Sequence, residues 1–193
     1  LIDYYALNLY QKDIFTRDER NNSISVGDRY LQDGVKEVAI NGSGISIWSI
    51  AYVPAAFGIY VARLAGLPFA DIFRMGKMFN VLFYAFIFAW AVKSLKKNGK
   101  MFCAAIALIP TNIFLTSNYA YDWWVTSWLC LAFAKLYGMM ESEEKISTFD
   151  FAKIVGIAFL AILPKAIYVV VFIPFLLIPS EKIEKAVKSR LIA

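Results

Sequence analysis

The sequence predicts an all-α fold, a polytopic transmembrane helical bundle, and three observations predict it. The chain has 193 residues, is 60% apolar and has a mean hydropathy of +0.56, whereas a soluble domain is about 45–50% apolar. Its apolar residues come in long blocks of membrane-span character rather than in short amphipathic stripes. Short charged or hinge-like turns separate the blocks, the clearest being Ser117-Asn118-Tyr119-Ala120-Tyr121-Asp122 between the apolar runs on either side within Ile106–Phe133. A carboxylate at such a turn sits at a membrane face or in a cavity and is a functional-site candidate.

Composition excludes several chemistries. There is no histidine, so a His-based triad, a His zinc site and a haem His ligand cannot form within this chain. Cys103 and Cys130 lie inside apolar runs and read as small packing residues. The formal net charge is +5, but the lysines sit mostly between apolar blocks, which is the signature of membrane topology and not of a nucleic-acid surface. No P-loop, GxSxG, CxxC or HExxH pattern occurs, no cofactor is identified, and no set of acids has the diagnostic spacing of a metal site, although a divalent metal is compatible with the chemistry proposed below.

Residues 1–44 are polar, mixed in charge and rich in turn signals, and are expected to form an extracytoplasmic loop or small subdomain. Residues 45–66 carry Pro54 where a helix would begin. Only about ten residues after it are firmly helical and apolar, too few for a hydrocarbon core of about 30 Å, so an interfacial helix is expected. Residues 67–180 are expected to hold the transmembrane helical bundle, with about five membrane helices, the last two short. These are Phe69 to Lys93, Met101 to Thr116 with a kink at Pro110, Trp123 to Met140, and two short runs either side of Pro164-Lys165. Residues 181–193 form a basic tail. The chain begins at Leu1 and is read as a fragment of a longer membrane protein.

Charge orients these elements. The lysines between Lys93 and Lys100 mark a cytoplasmic turn, which puts Ser117–Asp122 outside, Glu141–Lys153 inside, Lys165 outside and the basic tail 181–193 inside. The loop 1–44 and the interfacial helix then lie outside, with Trp48, Tyr52, Tyr119, Tyr121, Trp123 and Trp124 forming a belt near the outer boundary.

Three features converge on that face. Asn118, Tyr121 and Asp122 form a polar turn, in which Asp122 either caps the following helix or lines a site. Asp71, Arg74, Lys77 and Asn80 follow at i,i+3 steps, either as a helix emerging into headgroups or as a polar stripe. Lys165 either snorkels to the interface or offers a point charge to a phosphate at membrane depth.

The order of short motifs from Tyr52 to about Ile183 resembles an uncharacterised family of predicted bacterial membrane proteins, domain of unknown function 2142. The pieces are Tyr52-Val53-Pro54-Ala55-Ala56-Phe57-Gly58, Ala62-Arg63-Leu64-Ala65-Gly66-Leu67-Pro68, and Phe73-Arg74-Met75-Gly76-Lys77-Met78-Phe79-Asn80. Ala107-Leu108-Ile109-Pro110, the Ser117–Asp122 hinge, Leu163-Pro164-Lys165-Ala166-Ile167-Tyr168 and Ile178-Pro179 follow. The family is similar to the GT-C superfamily of polytopic glycosyltransferases, which take a sugar from a polyprenyl-phosphate donor at the outer membrane face.

The resemblance implies a GT-C-like bundle in the bacterial plasma (inner) membrane, a polyprenyl-phosphate lipid carrier as partner, and a role in cell-envelope glycan synthesis. Lys165 and Arg74 would hold the departing lipid phosphate, with Asn118, Tyr121 and Asp122 on the sugar or acceptor side. The GT-C enzymes' usual catalytic carboxylate lies in the first outer loop, just after a first span that this chain, read as a fragment, is expected to lack, so no catalytic residue is assigned and the fragment alone is expected to be inactive. The alternative is a non-catalytic transporter or a lipid-carrier-binding subunit. Fold analogy does not by itself decide between them.

Overall fold

The computed structural model describes residues 47–142, 145–173 and 178, with Lys97 and Ala166 described through their backbone alone. The loop expected over 1–44 and the basic tail expected over 181–193 lie outside the described residues. What is described is all helical, with no β-strand among the described residues, and the chain is an all-α helical membrane protein.

A 3-10 turn, Ile47–Tyr52, runs directly into α1, Val53–Leu64. Pro54 sits in the first turn of α1, where its missing N–H is not needed. The helix stops in a glycine cap. Leu67 N–H donates to Ala62 O at 3.1 Å, and Gly66 takes φ 67°, a conformation that favours glycine. Pro68 then leads into α2, Phe69–Lys93, whose 25 residues rise about 37 Å and exceed a hydrocarbon core.

The two helices form an antiparallel hairpin. The Phe57 and Phe79 rings meet edge to face at 5.5 Å, and a Cβ on Gly58 would stand 2.7 Å from the Met75 carbonyl oxygen. Ala51 belongs to the same buried cluster as Tyr84, Ile87 and Phe88, well down α2.

This geometry lengthens one expected element. Helical structure covers the 18 residues Ile47–Leu64, not about ten, because Ile47–Tyr52 coils as a 3-10 turn that apolar periodicity does not reveal. By length and composition that segment is able to cross a membrane, so shortness no longer argues for an interfacial position. Because it lies along α2, single-cysteine labels at Ile47 and Gly66 are expected on opposite sides of the membrane, in a background lacking Cys103 and Cys130. Labels at Ser94 and Ser117 are also expected on opposite sides. Ile47 and Gly66 labelled from one side would restore the interfacial placement.

Two further short helices return along α2. These are α3, Lys97–Ala107, and α4, Pro110–Thr116, bent by 56° at the intervening break. Pro110 lies at the start of α4, so the expected kink is a complete interruption. The carbonyls released there are recaptured. Tyr84 Oη donates to Ala107 O at 2.8 Å and Asn112 Nδ2 to Ile106 O at 2.9 Å, as a break in an apolar environment requires.

After the hinge, α5 (Asp122–Glu141) runs parallel to α2 at a nearly constant register. Tyr119 meets Phe73, the Lys135 ammonium lies over the Trp90 ring, and Lys96 Nζ donates to Glu141 O. A Cβ on Gly138 would come within 2.6 Å of Ser94 O, so this glycine lets the helix ends close together. Finally α6, Thr148–Ile162, returns antiparallel to α5. Ser147 and Asp150 form its N-terminal cap, with Ser147 Oγ donating to the Asp150 carboxylate at 2.8 Å and accepting from Asp150 N–H at 3.2 Å. A 3-10 segment, Ala166–Phe172, follows Pro164-Lys165.

Among the described residues two segments, Ile47–Leu64 and Phe69–Lys93, are long and apolar enough to cross a membrane, and a third is if the bent α3–α4 pair counts as one span. The 20 residues of α5 would reach, but Lys135 and its tryptophans dilute its apolar character; Trp123, Trp124, Ser127 and Leu131 are buried among the other helices instead. The 15 residues of α6 rise about 22 Å, short of the core thickness.

Candidate functional site

The Ser117–Tyr121 hinge joins α4 to α5 and is pinned from below by α2. Tyr119 Oη donates to the Phe73 carbonyl at 2.7 Å and its ring tilts against Phe73 at 4.7 Å. The Tyr119 hydroxyl occupies the space a side chain at Gly76 would need. Asn80, only 1% exposed, donates from Nδ2 to the Asn118 carbonyl at 3.2 Å and leaves its Oδ1 without a partner among the described residues. Within the hinge, Asn118 Nδ2 and Ser117 Oγ both donate to Phe114 O, at 2.8 and 2.9 Å. The hinge is thus a fastened turn, not a slack linker.

Lys165 comes to the hinge from the far side. Trp124 Nε1 donates to Leu160 O at 3.0 Å and ties the end of α6 to the start of α5. The chain then turns, with Lys165 N–H donating to Ile162 O at 2.9 Å. The Lys165 ammonium lies 5.6 Å from the Tyr121 ring centroid and is exposed, with no carboxylate within ion-pair distance among the described residues. Hydrogen bonding to Tyr121 holds its pKa above the ordinary lysine value, with smaller help from the Asp122 charge. The group therefore stays cationic through the neutral and mildly alkaline range.

Asp122 does not cap α5. Tyr121 is the capping residue, without a side-chain capping bond, and Asp122 is the first residue of the helix. Its charge still stands at the favourable end of the helix dipole, next to Tyr121 and in the electrostatic reach of Lys165. The structure therefore brings Asn118, Tyr121, Asp122 and Lys165 to one end of the bundle.

Arg74 is not brought into that group. It pairs with Asp71 at 3.0 Å, with the arginine side chain 77% exposed. The stripe read as Asp71, Arg74, Lys77 and Asn80 splits three ways. Its first two members pair with each other, Lys77 lies over the Phe73 ring at 5.2 Å, and Asn80 turns inward. Of the residues that hold the hinge, Asn80 belongs to the polar stripe and Tyr119 to the aromatic belt read from the sequence, whereas Gly76 has no such reading. A glycine inside a long apolar helix is the one sequence signal that could have pointed there.

Among the described residues no three acids or cysteines come together in a way that could hold a metal ion. The arrangement can present one lysine charge, one carboxylate, a phenol and an amide to a polar group arriving at the end of the bundle. No curated protein and no solved structure matches this chain. Residues 34–192 match the family described as predicted membrane protein (DUF2142), and the chain belongs to that family.

Proposed function

We propose that this chain is part of a GT-C-like glycosyltransferase of the bacterial plasma membrane, crossing it several times, and that its hinge end binds the phosphate of a polyprenyl-phosphate sugar donor. The observation that carries the reading is Lys165, a cation without a carboxylate partner among the described residues, beside Tyr121 and Asp122 at the end of an apolar bundle. Leaving a lysine at the border of hydrocarbon is costly unless it snorkels or finds an anion. A lipid phosphate supplies the anion at the right depth and forms a charge-assisted contact. The same ammonium would stabilise the phosphate as it departs from the sugar. Asn118, Tyr121 and Asp122 lie where a sugar or acceptor hydroxyl would approach. Arg74, held by Asp71, serves the phosphate only by exchanging that partner.

A second reading, a transporter or a lipid-carrier-binding subunit without catalysis, draws support from the interrupted α3–α4 pair. Transporters place their sites at such breaks. Incubating the reconstituted full-length protein with a polyprenyl-phosphate sugar and an acceptor bearing a free hydroxyl separates the two, because only an enzyme moves the sugar to that hydroxyl and releases the polyprenyl phosphate.

The binding role is tested on Lys165. Lys165→Ala is expected to weaken polyprenyl-phosphate binding about 10- to 100-fold, the range for losing a hydrogen bond to a charged group. Lys165→Arg should keep part of it, since charge survives while the point geometry does not. Equal binding by Lys165→Ala and the parent, measured by lipid titration of folded protein, would leave snorkelling as the sole role of this lysine.

A further inference from the structure

At the opposite end of the bundle, α2 and α5 border an exposed aromatic strip, a shallow groove that the hinge-end site does not use. Phe83, Phe86 and Trp90 follow one another along α2, with successive ring centroids 6.5 and 6.4 Å apart. They stay 40%, 64% and 41% exposed. Lys93 stands one turn beyond Trp90 and is exposed. From α5, Lys135 places its ammonium 4.9 Å from the Trp90 ring centroid. Lys135 is half-buried and lies about 9 Å of helix short of the end of α5.

Among the described residues the nearby acids are occupied. Asp150 lies within electrostatic reach of Lys135, but its oxygens are held by Ser147 at 2.8 Å and Lys153 at 3.1 Å. The Glu141 carboxylate is engaged by the Tyr137 hydroxyl. The ion pairs among the described residues are Asp71–Arg74 and Asp150–Lys153, so neither Lys93 nor Lys135 has one.

We infer that this groove is a binding site for an anionic phospholipid, with its phosphate between Lys93 and Lys135 and an acyl chain along Trp90, Phe86 and Phe83. Two cations without carboxylate partners among the described residues close the polar end of an aromatic track. An aromatic face compensates an ammonium only partly where water is scarce. The phosphate of a membrane lipid arrives at that depth with its apolar tail already attached, and a basic pocket between membrane helices is complementary to it. Topology alone would use the lysines as a diffuse signal. A built groove instead demands that particular lysines and one headgroup charge matter.

Native mass spectrometry of the purified protein with phosphatidylglycerol or phosphatidylcholine of matched chains tests this. One phosphatidylglycerol is expected to be retained about 5- to 30-fold better than phosphatidylcholine, from about a five-fold gain for each basic residue near the phosphate. Lys135→Gln should lower that preference about five-fold, and Lys93→Gln/Lys135→Gln should remove it. Lys135→Arg should keep it, and so should Lys145→Gln, which deletes the same charge from an exposed loop position. Equal retention of both lipids by the parent overturns the site, and so does a Lys145→Gln loss as large as that of Lys135→Gln, which would mean diffuse attraction. If Lys135→Gln fails to fold, the parent's lipid ratio and Lys93→Gln alone still decide.

Discussion

Gly76→Val is expected to lower stability by about 2–4 kcal/mol and to release the hinge from α2. Gly76 is buried where three segments meet. A Cβ there falls on the Tyr119 hydroxyl and comes within 3.0 Å of Ile59 on α1. Overfilling a packed junction costs about 1–3 kcal/mol, and expelling Tyr119 also forfeits its hydrogen bond to Phe73 O, worth about 1 kcal/mol. Valine recovers little through helix propensity. Thermal unfolding in detergent measures the loss, and a cysteine label at Ser117 should react faster in the variant. Tyr119→Phe isolates the hydrogen bond and should cost only about 1 kcal/mol. A Gly76→Val protein that melts with the parent and labels at the parent's rate would show that the slot yields freely.

The second large effect lies at the break between α3 and α4. Removing both side chains that serve it, in Tyr84→Phe/Asn112→Leu, strands the Ala107 carbonyl and leaves the Ile106 carbonyl only its 3.3 Å bond from Ile109 N–H. An orphaned carbonyl costs about 1–3 kcal/mol and a lost hydrogen bond about 1 kcal/mol, so the double variant should lose about 3 kcal/mol. The two carbonyls are neighbours in the chain, so the single variants are not expected to add up to the double one. Equilibrium unfolding of the four proteins in one detergent gives the coupling directly. A double variant within about 1 kcal/mol of the parent would mean that the break satisfies its own carbonyls, against the expectation for backbone in an apolar medium.

Local punctuation made much of this fold legible. Gly66-Leu67-Pro68 ends α1 and begins α2, Pro110 interrupts the return helix, and the polar hinge separates α4 from α5. The long apolar run from Phe69 fixed α2 without ambiguity. What escaped depends on partners far along the chain. Asn80 and Arg74 belong to one polar stripe, yet one is sealed under Asn118 and the other faces out to Asp71. A stripe gives a direction around the helix axis, not the neighbour in that direction. The parallel register of α2 with α5 is likewise invisible locally, because glycines and aromatic contacts dozens of residues apart set it. Among the expected site residues, Lys165, Tyr121 and Asp122 met because a tryptophan hydrogen bond ties two helix ends together, which no spacing rule anticipates.

The polar dilution of α5 also bears on how the chain is made. A nascent helix leaves the insertion channel sideways when lipid suits it better than water does. With Lys135 and Asp122 in its length, α5 gains less from that exit than α2 does. Its stable surroundings are other helices, and α2 is already in place when α5 emerges from the ribosome. Assembly of this half of the chain is therefore cooperative: α5 settles against α2 and is closed over by α6 as a pair. Substitutions that made α5 greasier would ease its exit into lipid while loosening its choice of neighbours.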